Sequence, residues 1–407
     1  MAHMDDYRSI AGDQTVDELL LLAERLAGTC IQNINSTKAG GGVAEILRSM
    51  IPLMQDIGLD MRWDTIEGDQ RFFDITKKTH NALHGVPTRV GGDDFDYFME
   101  INRRNSRKMT TWGDMVIIHD PQPIGLVVEK RKLKNRWAWR CHIDFSGPQQ
   151  NVWAFLKKHI RKYDASVFSV PQFSRPLPVP QVCIAPSIDP LSDKNRPIDP
   201  AYTTAVLQQY GIDPEKPIIT QVSRFDYLKD PLGVIEAYRQ VRRYIDCQLV
   251  LLGGGADDDP EGAQVLERVM AAAEDDKDIF VLFLPPDSHL IVNAVQRASS
   301  VVLQKSLKEG FGLTVSEALW KEKPVIAGAV GGIPRQITHK FSGILTYTVE
   351  GTAYWIKRLL NEPEYARGLA RNGKQHIKNN FLITRHLQDY LTLFLSLQNS
   401  DEVVRFH

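Results

Sequence analysis

Residues 29–55, TCIQNINSTKAGGGVAEILRSMIPLMQ, decide the fold class of this chain. A short β-type run, Thr29–Ile34, leads into a loop with three consecutive glycines, Gly40–Gly42, and a helical pattern then continues to about Gln55. A strand followed by a glycine-containing loop and a helix is the repeating unit of parallel sheets covered by helices. The stretch therefore predicts an α/β fold.

The same rhythm recurs along the chain, and it starts twice. Two series of strands, each followed by helical patterns, predict two Rossmann-like doubly wound domains that face a cleft. Ligands of such sheets bind at the carboxyl ends of the strands, so the cleft is the expected binding place. The further β-type runs are Leu59–Ile66, Met115–Ile118, Trp137–Ile143, Ala165–Val170 and Val182–Ala185 in the first series, and Pro217–Val222, Cys247–Leu252, Ile279–Leu284, Ser300–Gln304 and Pro324–Ala327 in the second.

A proline-rich segment separates the two series. Residues 189–200, DPLSDKNRPIDP, contain three prolines among charged residues, which disfavours a helix or a central strand and indicates a linker. We expect a first domain over residues 1–192, completed by a C-terminal helix at about 382–407, and a second domain over 193–381.

Composition narrows the function classes. The chain has 407 residues and a formal net charge of −1, which argues against a nucleic-acid binder. Its four cysteines, Cys30, Cys141, Cys183 and Cys247, lie singly, without metal-ligand or redox spacing. Together with the lack of a secretory signal or a membrane-length apolar stretch, this predicts a cytoplasmic protein that does not act at membranes. The sequence leaves a homodimer open.

The segment Lys308–Glu317, KEGFGLTVSE, carries the strongest functional pattern. Glu309 and Glu317 stand eight positions apart, and a Gly-Phe-Gly turn, residues 310–312, runs between them into a helix. The glycines let the backbone approach a ligand, and the helix start suits a phosphate. Carboxylates on either side suit the hydroxyls of a ribose or a hexose, so the pattern describes a sugar-nucleotide site.

The same residues can also be explained by local structure alone, without a ligand. Thr314 and Glu317 have the spacing of a capping box, in which Glu317 would only close its own helix. Glu309 would then be a solvated loop acid, and the glycines ordinary turn residues. The local residues leave both interpretations open, and the rest of the chain favours the ligand site.

Two further loops offer groups for a diphosphate. Arg224 and Lys229 follow a predicted strand and would bracket a diphosphate, one as a planar fork and the other as a point charge. Fixed cations there would stabilise the charge that a leaving diphosphate develops. The loop at Gly40–Gly42 can pack against a pyrophosphate or a sugar. The alternatives are solvated cations and a flexible loop.

Histidine and aspartate close two predicted strands of the first series. His119-Asp120 and His142-Ile143-Asp144 are well placed to bind sugar hydroxyls, although a lone histidine is more often a buried structural residue. The acidic run Asp257–Asp259 is better explained as a solvated helix start than as a metal site, so we expect no metal.

Together these motifs resemble the retaining GT-B glycosyltransferases of the group that contains glycogen and sucrose synthases. Their closest resemblance is to the trehalose glycosyltransferring synthases, and the same segments are similar to those of retaining trehalose phosphorylases. The segments that carry it are residues 36–45, STKAGGGVAE, 119–123, HDPQP, 139–144, WRCHID, and 186–192, PSIDPLS.

The resemblance implies a retaining hexosyltransferase of carbohydrate metabolism. It would join the glucosyl unit of a nucleoside diphosphate glucose, in its UDP or ADP form, to free glucose and so make α,α-trehalose. No cofactor would be required, and the ligands would be glucose, trehalose and the nucleoside diphosphate. The mechanism would be a front-face transfer, in which the leaving diphosphate helps to take the acceptor proton.

Residue roles follow from the same resemblance, with the donor on the second domain and the acceptor on the first. The catalytic group would be Glu309, Arg224, Lys229 and His142, with His142 near the donor sugar's 6-hydroxyl. The donor-binding group would be Gly40, Gly41, Gly42, Gly310, Phe311, Gly312, Leu313, Thr314 and Glu317. The acceptor-binding group would be His119, Asp120 and Asp144.

Two rival functions stay open, and two others are disfavoured. A retaining trehalose phosphorylase would share most of the site, and a transferase with another acceptor, such as a sugar phosphate, would share all of the donor side. A sugar-nucleotide sensor without activity is disfavoured by the presence of both acids and both cations. A nicotinamide dehydrogenase is disfavoured because its spaced glycine fingerprint is missing.

Overall fold

The structure is a computed structural model that describes residues 2–38, 41–145, 147–254 and 260–399. It divides into two compact units, Met1–Pro186 with Ile383–His407 and Ser187–Leu382. The first division lies between Pro186 and Ser187, six residues before the boundary expected at 192. None of the helices in the described ranges is long and apolar enough to cross a membrane.

The first unit contains six parallel strands and the helices between them. The strands are β1 (Cys30–Asn35), β2 (Asp60–Thr65), β3 (Met115–His119), β4 (Arg136–Cys141), β5 (Ala165–Phe168) and β6 (Gln181–Cys183). The helices are α1 (Arg8–Ala11), α2 (Asp13–Glu24), α3 (Gly41–Asp56), α4 (Gln70–Leu83), α5 (Gly92–Lys108) and α6 (Gln150–Ile160), with 3-10 turns at Met4–Tyr7, Ile124–Lys132 and Pro171–Phe173.

The second unit repeats this arrangement. Its strands are β7 (Ile218–Val222), β8 (Gln248–Gly253), β9 (Ile279–Phe283), β10 (Val301–Gln304), β11 (Val325–Gly328) and β12 (Ile344–Thr346). Its helices are α7 (Pro200–Gln209), α8 (Pro231–Arg242), α9 (Pro260–Ala273), α10 (His289–Ala298), α11 (Leu313–Trp320), α12 (Ile333–Gln336), α13 (Val349–Asn361) and α14 (Pro363–Asn380), with a 3-10 turn at Tyr227–Lys229. The last helix, α15 (Ile383–Gln398), belongs to the first unit.

The strand order places a switch point within each sheet. The first sheet runs β2-β1-β3-β4-β5-β6 and the second β12-β11-β10-β7-β8-β9, and every pairing is parallel. The order reverses between β1 and β3 in one sheet and between β7 and β10 in the other. Loops that follow these strands diverge to opposite faces and leave a crevice for ligands. Both Rossmann-like domains expected from the sequence are confirmed.

The central strands are buried on both faces, as parallel sheets require. All of β3, with the sequence MVIIH, is buried, and so is all of β7. Alternate residues of β8 serve two separate cores, with Leu249 and Leu251 on one face and Val250 and Leu252 on the other. The burial of these β-branched and leucine side chains holds each sheet between two helical layers.

Each strand predicted from the sequence is present, with ends displaced by one or two residues. The run expected to reach Ile143 ends at Cys141, because the chain leaves the sheet there. Sequence reasoning missed β12, whose three residues are too few for a periodic pattern. The C-terminal helix expected at about 382–407 corresponds to α15, which spans Ile383–Gln398.

Candidate active site

The loop after β7, residues 223–230, carries the two predicted cations and is named the cation loop. Asp226 accepts a 2.7 Å hydrogen bond from the N–H of Leu228 and so begins the 3-10 turn that ends at Lys229. This turn brings Lys229 Nζ to 2.6 Å from Glu309 Oε2. Arg224 Nη2 lies 3.2 Å from Asp226 Oδ2, and its side chain is 55% exposed. One cation is therefore held beside an acid, and the other is largely in solvent.

Asp230 ends the cation loop in a left-handed backbone conformation, with φ of 49°. Its carboxylate accepts a 3.2 Å hydrogen bond from the N–H of Gly233 and caps α8, and it also pairs with Lys305 Nζ. Aspartate tolerates this backbone region better than most residues because its short polar side chain bonds locally. Sequence reasoning missed Asp230, although an acid directly before Pro231 is typical of a helix start.

Gln221 ties the cation loop to the loop after β10, residues 305–312, which is named the acid loop. Its buried side-chain amide accepts from the N–H of Lys305 at 3.0 Å and donates to the carbonyl oxygen of Lys229 at 2.9 Å. The N–H of Leu307 also donates to the carbonyl oxygen of Leu228 at 2.8 Å. These contacts fix the spacing between the two loops, and so between Lys229 and Glu309.

Glu309 is half of a buried ion pair. Its Oε2 accepts from Lys229 Nζ at 2.6 Å, from Ser306 Oγ at 3.2 Å and from Gln304 Nε2 at 3.4 Å. The side chains of Lys229 and Glu309 are only 17% and 12% exposed. Three donors therefore converge on one oxygen of the Glu309 carboxylate. Glu309 thus neutralises the cation that the sequence assigned to a diphosphate.

The Gly-Phe-Gly turn packs against Gly331 and Gly332, two glycines in the loop that follows β11. Gly312 has φ of 81°, and Gly331 has φ of 56°. A Cβ on Gly331 would lie 1.7 Å from the carbonyl oxygen of Glu309, so only glycine fits there. The N–H of Gly332 donates to the carbonyl oxygen of Gly310 at 3.0 Å. Sequence reasoning named Gly310 and Gly312 but missed this supporting pair.

Phe311 anchors the acid loop within the second unit. Its ring is 6% exposed and lies 5.6 Å from the ring of Phe381, and its carbonyl oxygen accepts a 2.5 Å hydrogen bond from Gln336 Nε2. The turn is therefore held by packing on one side and by a buried amide on the other. Leu313 and Thr314 follow as the first residues of α11.

The capping-box interpretation of Glu317 is wrong. Helix α11 begins at Leu313 with Gly312 as its N-cap, so Thr314 already lies inside the first turn. The Glu317 side chain is 4% exposed, and its Oε1 lies 3.5 Å from Lys194 Nζ. A buried carboxylate needs a partner of this kind, because its desolvation is costly. Lys194 comes from the segment predicted as a linker, and sequence reasoning missed it.

The strand ends of the first unit bring His119 and His142 together. His119 Nδ1 lies 3.3 Å from His142 Nε2, and the two rings stack with centroids 5.6 Å apart. Burial lowers the pKa of His119 to about 3 and the pKa of His142 well below its usual value, and the nearby Arg140 guanidinium adds to both shifts. Both imidazoles are therefore neutral near pH 7.

Asp120 supports this pair from a left-handed backbone position, with φ of 63°. Its Oδ1 accepts from the N–H of His142 at 2.8 Å, and its carbonyl oxygen accepts from Trp139 Nε1 at 3.0 Å. Burial raises the pKa of Asp120 to about 6. Asp144 is also buried in this unit. The first-unit site thus combines two neutral imidazoles with the carboxyl group of Asp120.

Two sequence expectations fall partly outside the described residues. Gly41 and Gly42 open α3 directly after the first loop, while Gly40 lies outside the described ranges. The acidic run Asp257–Asp259 also lies outside them. Within the ranges that are described, no group of three or more histidine, cysteine, aspartate or glutamate side chains is arranged to hold a metal ion.

Two family models match the chain, one in each unit. Residues 33–175 match the model of the trehalose synthase N-terminal domain, and residues 203–376 match that of the glycosyl transferases group 1. The second match spans the cation loop and the acid loop, and the first spans the paired histidines.

Curated relatives extend the match to the full length. The chain is 42% identical to the trehalose synthase of Pyrococcus horikoshii over 97% of this chain and 96% of that one. It is 44% identical to the trehalose synthase of Thermococcus litoralis over 97% of each. A trehalose phosphorylase of Pleurotus pulmonarius is 30% identical over 84% of this chain but only 54% of its own length.

Solved structures agree in fold. The trehalose-6-phosphate synthase OtsA superimposes with a TM-score of 0.73 at 14% identity, over 93% of this chain and all of that one. The sucrose-phosphate synthase of Thermosynechococcus elongatus gives 0.70 at 17% identity, over 91% of this chain and all of that one. With this GT-B fold and full-length relatives above 40% identity, the chain belongs to the trehalose synthase family of glycosyltransferases.

Proposed function

We propose that the enzyme transfers the glucosyl unit of a nucleoside diphosphate glucose to free glucose, with retention of configuration, and so forms α,α-trehalose. The observation that carries the proposal is the buried pair of Lys229 and Glu309 beside the turn that opens α11. A cation and an acid in contact, next to a helix start, are the groups that a diphosphate and its attached sugar need. The trehalose synthases named above support the identity of the product.

When the donor binds, Lys229 and Glu309 each exchange the other for a group of the donor. The diphosphate takes over Lys229, the N–H groups at the start of α11 add hydrogen bonds, and Arg224 turns from solvent to the phosphates. Glu309 is released from its ion pair and accepts hydrogen bonds from the hydroxyls of the donor glucose. The ground-state pair thus keeps both groups in place until the ligand arrives.

The nucleoside is held by the second acid. Glu317 accepts hydrogen bonds from the ribose hydroxyls, and Lys194, 3.5 Å from its Oε1, is its charge partner in the buried site. This division assigns the sugar to Glu309 and the ribose to Glu317. The base is left to other contacts, so the donor is a UDP or an ADP form.

The first unit supplies two neutral imidazoles and two carboxyl groups for uncharged sugars. His142 contacts the donor glucose, and His119, Asp120 and Asp144 serve the acceptor. An uncharged imidazole offers one donor and one acceptor to hydroxyls. Because the acceptor carries no charge, a site without a strong net charge fits it better than a basic one.

The chemical step balances without a protein nucleophile. The bond between the anomeric carbon and the diphosphate oxygen breaks, and a bond from that carbon to the acceptor oxygen forms on the same face. The acceptor proton passes to the departing diphosphate. Lys229 and Arg224 stabilise the charge that develops there, which is often the largest catalytic contribution.

One incubation tests the proposal. Purified enzyme is given glucose with UDP-glucose, ADP-glucose or other nucleoside diphosphate glucoses, and the product is identified by NMR. We expect α,α-trehalose from at least one donor. A product only with glucose 6-phosphate would show a different acceptor, and glucose 1-phosphate from trehalose and phosphate, with no nucleotide, would show a phosphorylase.

A further inference from the structure

A row of polar side chains crosses the first sheet near the carboxyl ends of its strands. Strand pairing places Asn33 opposite Ile117, and His119 lies two residues further on the same face of β3. The next pairing places Arg140 directly opposite His119. All three side chains are at most 2% exposed. The sheet therefore aligns an amide, an imidazole and a guanidinium beneath the strand ends.

Hydrogen bonds link this row to His142. His119 Nε2 lies 3.0 Å from Asn33 Oδ1, and His119 Nδ1 lies 3.3 Å from His142 Nε2. A neutral imidazole has one donor nitrogen and one acceptor nitrogen. When His119 Nε2 donates to Asn33, its Nδ1 must accept from His142 Nε2. His142 then presents an unprotonated Nδ1, which is a hydrogen-bond acceptor.

The surroundings keep both rings neutral, which this linkage requires. Burial lowers the pKa of both rings, and Arg140 lowers it further, while His386 adds to the effect at His142. Arg140 donates through Nη2 to Ser169 Oγ at 3.4 Å, and its Nε and Nη1 have no partner among the described residues. Asp120 accepts a 2.8 Å hydrogen bond from the N–H of His142.

The buried amide of Asn33 should reduce the stability of the fold, which suggests that its oxygen has a role. Its side chain is fully buried, and within the described part of the chain its Nδ2 has no hydrogen-bond partner. A buried unpaired donor destabilises a fold by about 1–3 kcal/mol. The one described contact that the amide makes is the acceptor contact to His119.

We propose that Asn33, acting through His119, fixes His142 in the tautomer whose Nδ1 accepts a hydrogen bond. Asn33 and His119 are positioning residues, and His142 is the group that meets the ligand. The tautomer is inferred from the contacts alone. Only the identity of the ligand, the 6-hydroxyl of the donor glucose, rests on the proposed function. That hydroxyl donates a hydrogen bond to His142 Nδ1. The other tautomer carries its proton on Nδ1 and would offer the hydroxyl no acceptor there.

Histidine 15N chemical shifts test the tautomer without any turnover. The protein is labelled at histidine nitrogens, and His142 is assigned by comparison with His142→Gln. We expect wild type and Asn33→Asp, whose carboxylate can only accept, to show His142 with its proton on Nε2. Asn33→Leu should show a mixture of tautomers, because its side chain accepts nothing.

A matched variant controls for loss of a buried amide. Asn105 is also buried in the first unit, where its side chain bonds the backbone of Glu67 at 2.7 Å. Asn105→Leu should lower stability without moving the His142 resonances. A wild-type His142 tautomer in Asn33→Leu, or the same change in Asn105→Leu, would overturn the proposal.

Kinetics then test the ligand. We expect Asn33→Leu to lower kcat/KM for the glucose donor by about tenfold, as loss of one hydrogen bond does, and Asn33→Asp to restore most of it. With a 6-deoxyglucose donor, wild type and Asn33→Leu should be equal. An equal loss with both donors would overturn the link to the 6-hydroxyl. The absence of trehalose from wild type in the incubation above would instead contradict the proposed function.

Discussion

The two units use opposite electrostatics at their strand ends. In the second unit, Lys229 and Glu309 form a buried ion pair, and Glu317 pairs with Lys194. In the first unit, His119 and His142 are neutral and bond to each other. Paired charges suit a ligand that brings charge of its own, and neutral dipoles suit a polyol. The contrast supports the proposal that diphosphate binds to one unit and uncharged sugar to the other.

Removing the buried cation should give the largest effect on activity. Lys229→Gln leaves Glu309 buried without its ion-pair partner and the diphosphate without a fixed charge. We expect kcat/KM to fall by about 10²–10³, equivalent to about 2.7–4 kcal/mol. Steady-state rates with a saturating acceptor measure it.

The matched control is a lysine of the same unit that lies in a different ion-pair group. Lys216 pairs with Asp246 and Asp278. Lys216→Gln should change kcat/KM by less than about twofold, because Lys216 precedes the amino end of β7 whereas the cation loop follows its carboxyl end. Equal losses in the two variants would erase the distinction between the active-site pair and an ordinary one.

The second acid should act on the nucleoside. Glu317→Gln should weaken binding of the nucleoside diphosphate by about 10–100-fold, the usual effect of losing hydrogen bonds to a charged group. Calorimetry with UDP and ADP measures the change. For a 2′-deoxyribose analogue, wild type and variant should differ much less. A constant difference for both ligands would place Glu317 away from the ribose.

Close packing behind the acid loop predicts a stability effect. Gly331→Ala would place a Cβ against the carbonyl oxygen of Glu309 in a left-handed backbone, and we expect a loss of about 1–3 kcal/mol. Gly368→Ala, in α14, meets nothing within 4 Å and should stabilise by about 0.5–1 kcal/mol. Thermal unfolding of both variants measures the signs. Two shifts of the same sign would contradict the packing described here.

The neutral site of the first unit should show in the pH dependence of stability. The folded pKa of His119 is lowered to about 3, so the unfolded chain binds more protons between its ordinary pKa and that value, and stability falls on acidification. His119→Gln should remove up to about 1.4 kcal/mol per pH unit of this slope. Urea unfolding between pH 4 and 7 measures it.

Asp120 should contribute a pH dependence of stability opposite in sign to that of His119. Its folded pKa is raised to about 6, so its contribution is present below its ordinary pKa and is lost as pH rises through 6. As pH rises from 4 to 7, the free energy of unfolding of Asp120→Asn should therefore increase relative to that of wild type. Unchanged slopes in both variants would show that these groups are not buried as described.

Local sequence patterns predicted the sheets but only part of the site. Runs such as residues 115–118 predict buried strands, because continuous β-branched residues fit a parallel sheet. The spacing of Glu309 and Glu317 drew attention to the acid loop, and the structure places Glu309 Oε2 2.6 Å from Lys229 Nζ. Lys194 and Gln221 were missed because their partners lie far away in the sequence. Asn33 was missed because it is one of three amide side chains in β1, and no local pattern distinguishes it from the other two.

Binding of the bare nucleoside diphosphate to Glu309→Gln tests the central claim most directly. The account holds that Glu309 occupies Lys229 until a diphosphate replaces it. Calorimetry should therefore show UDP or ADP bound more tightly by Glu309→Gln than by wild type, by up to about tenfold, although sugar transfer is lost. Weaker binding in the variant would contradict the exchange of partners.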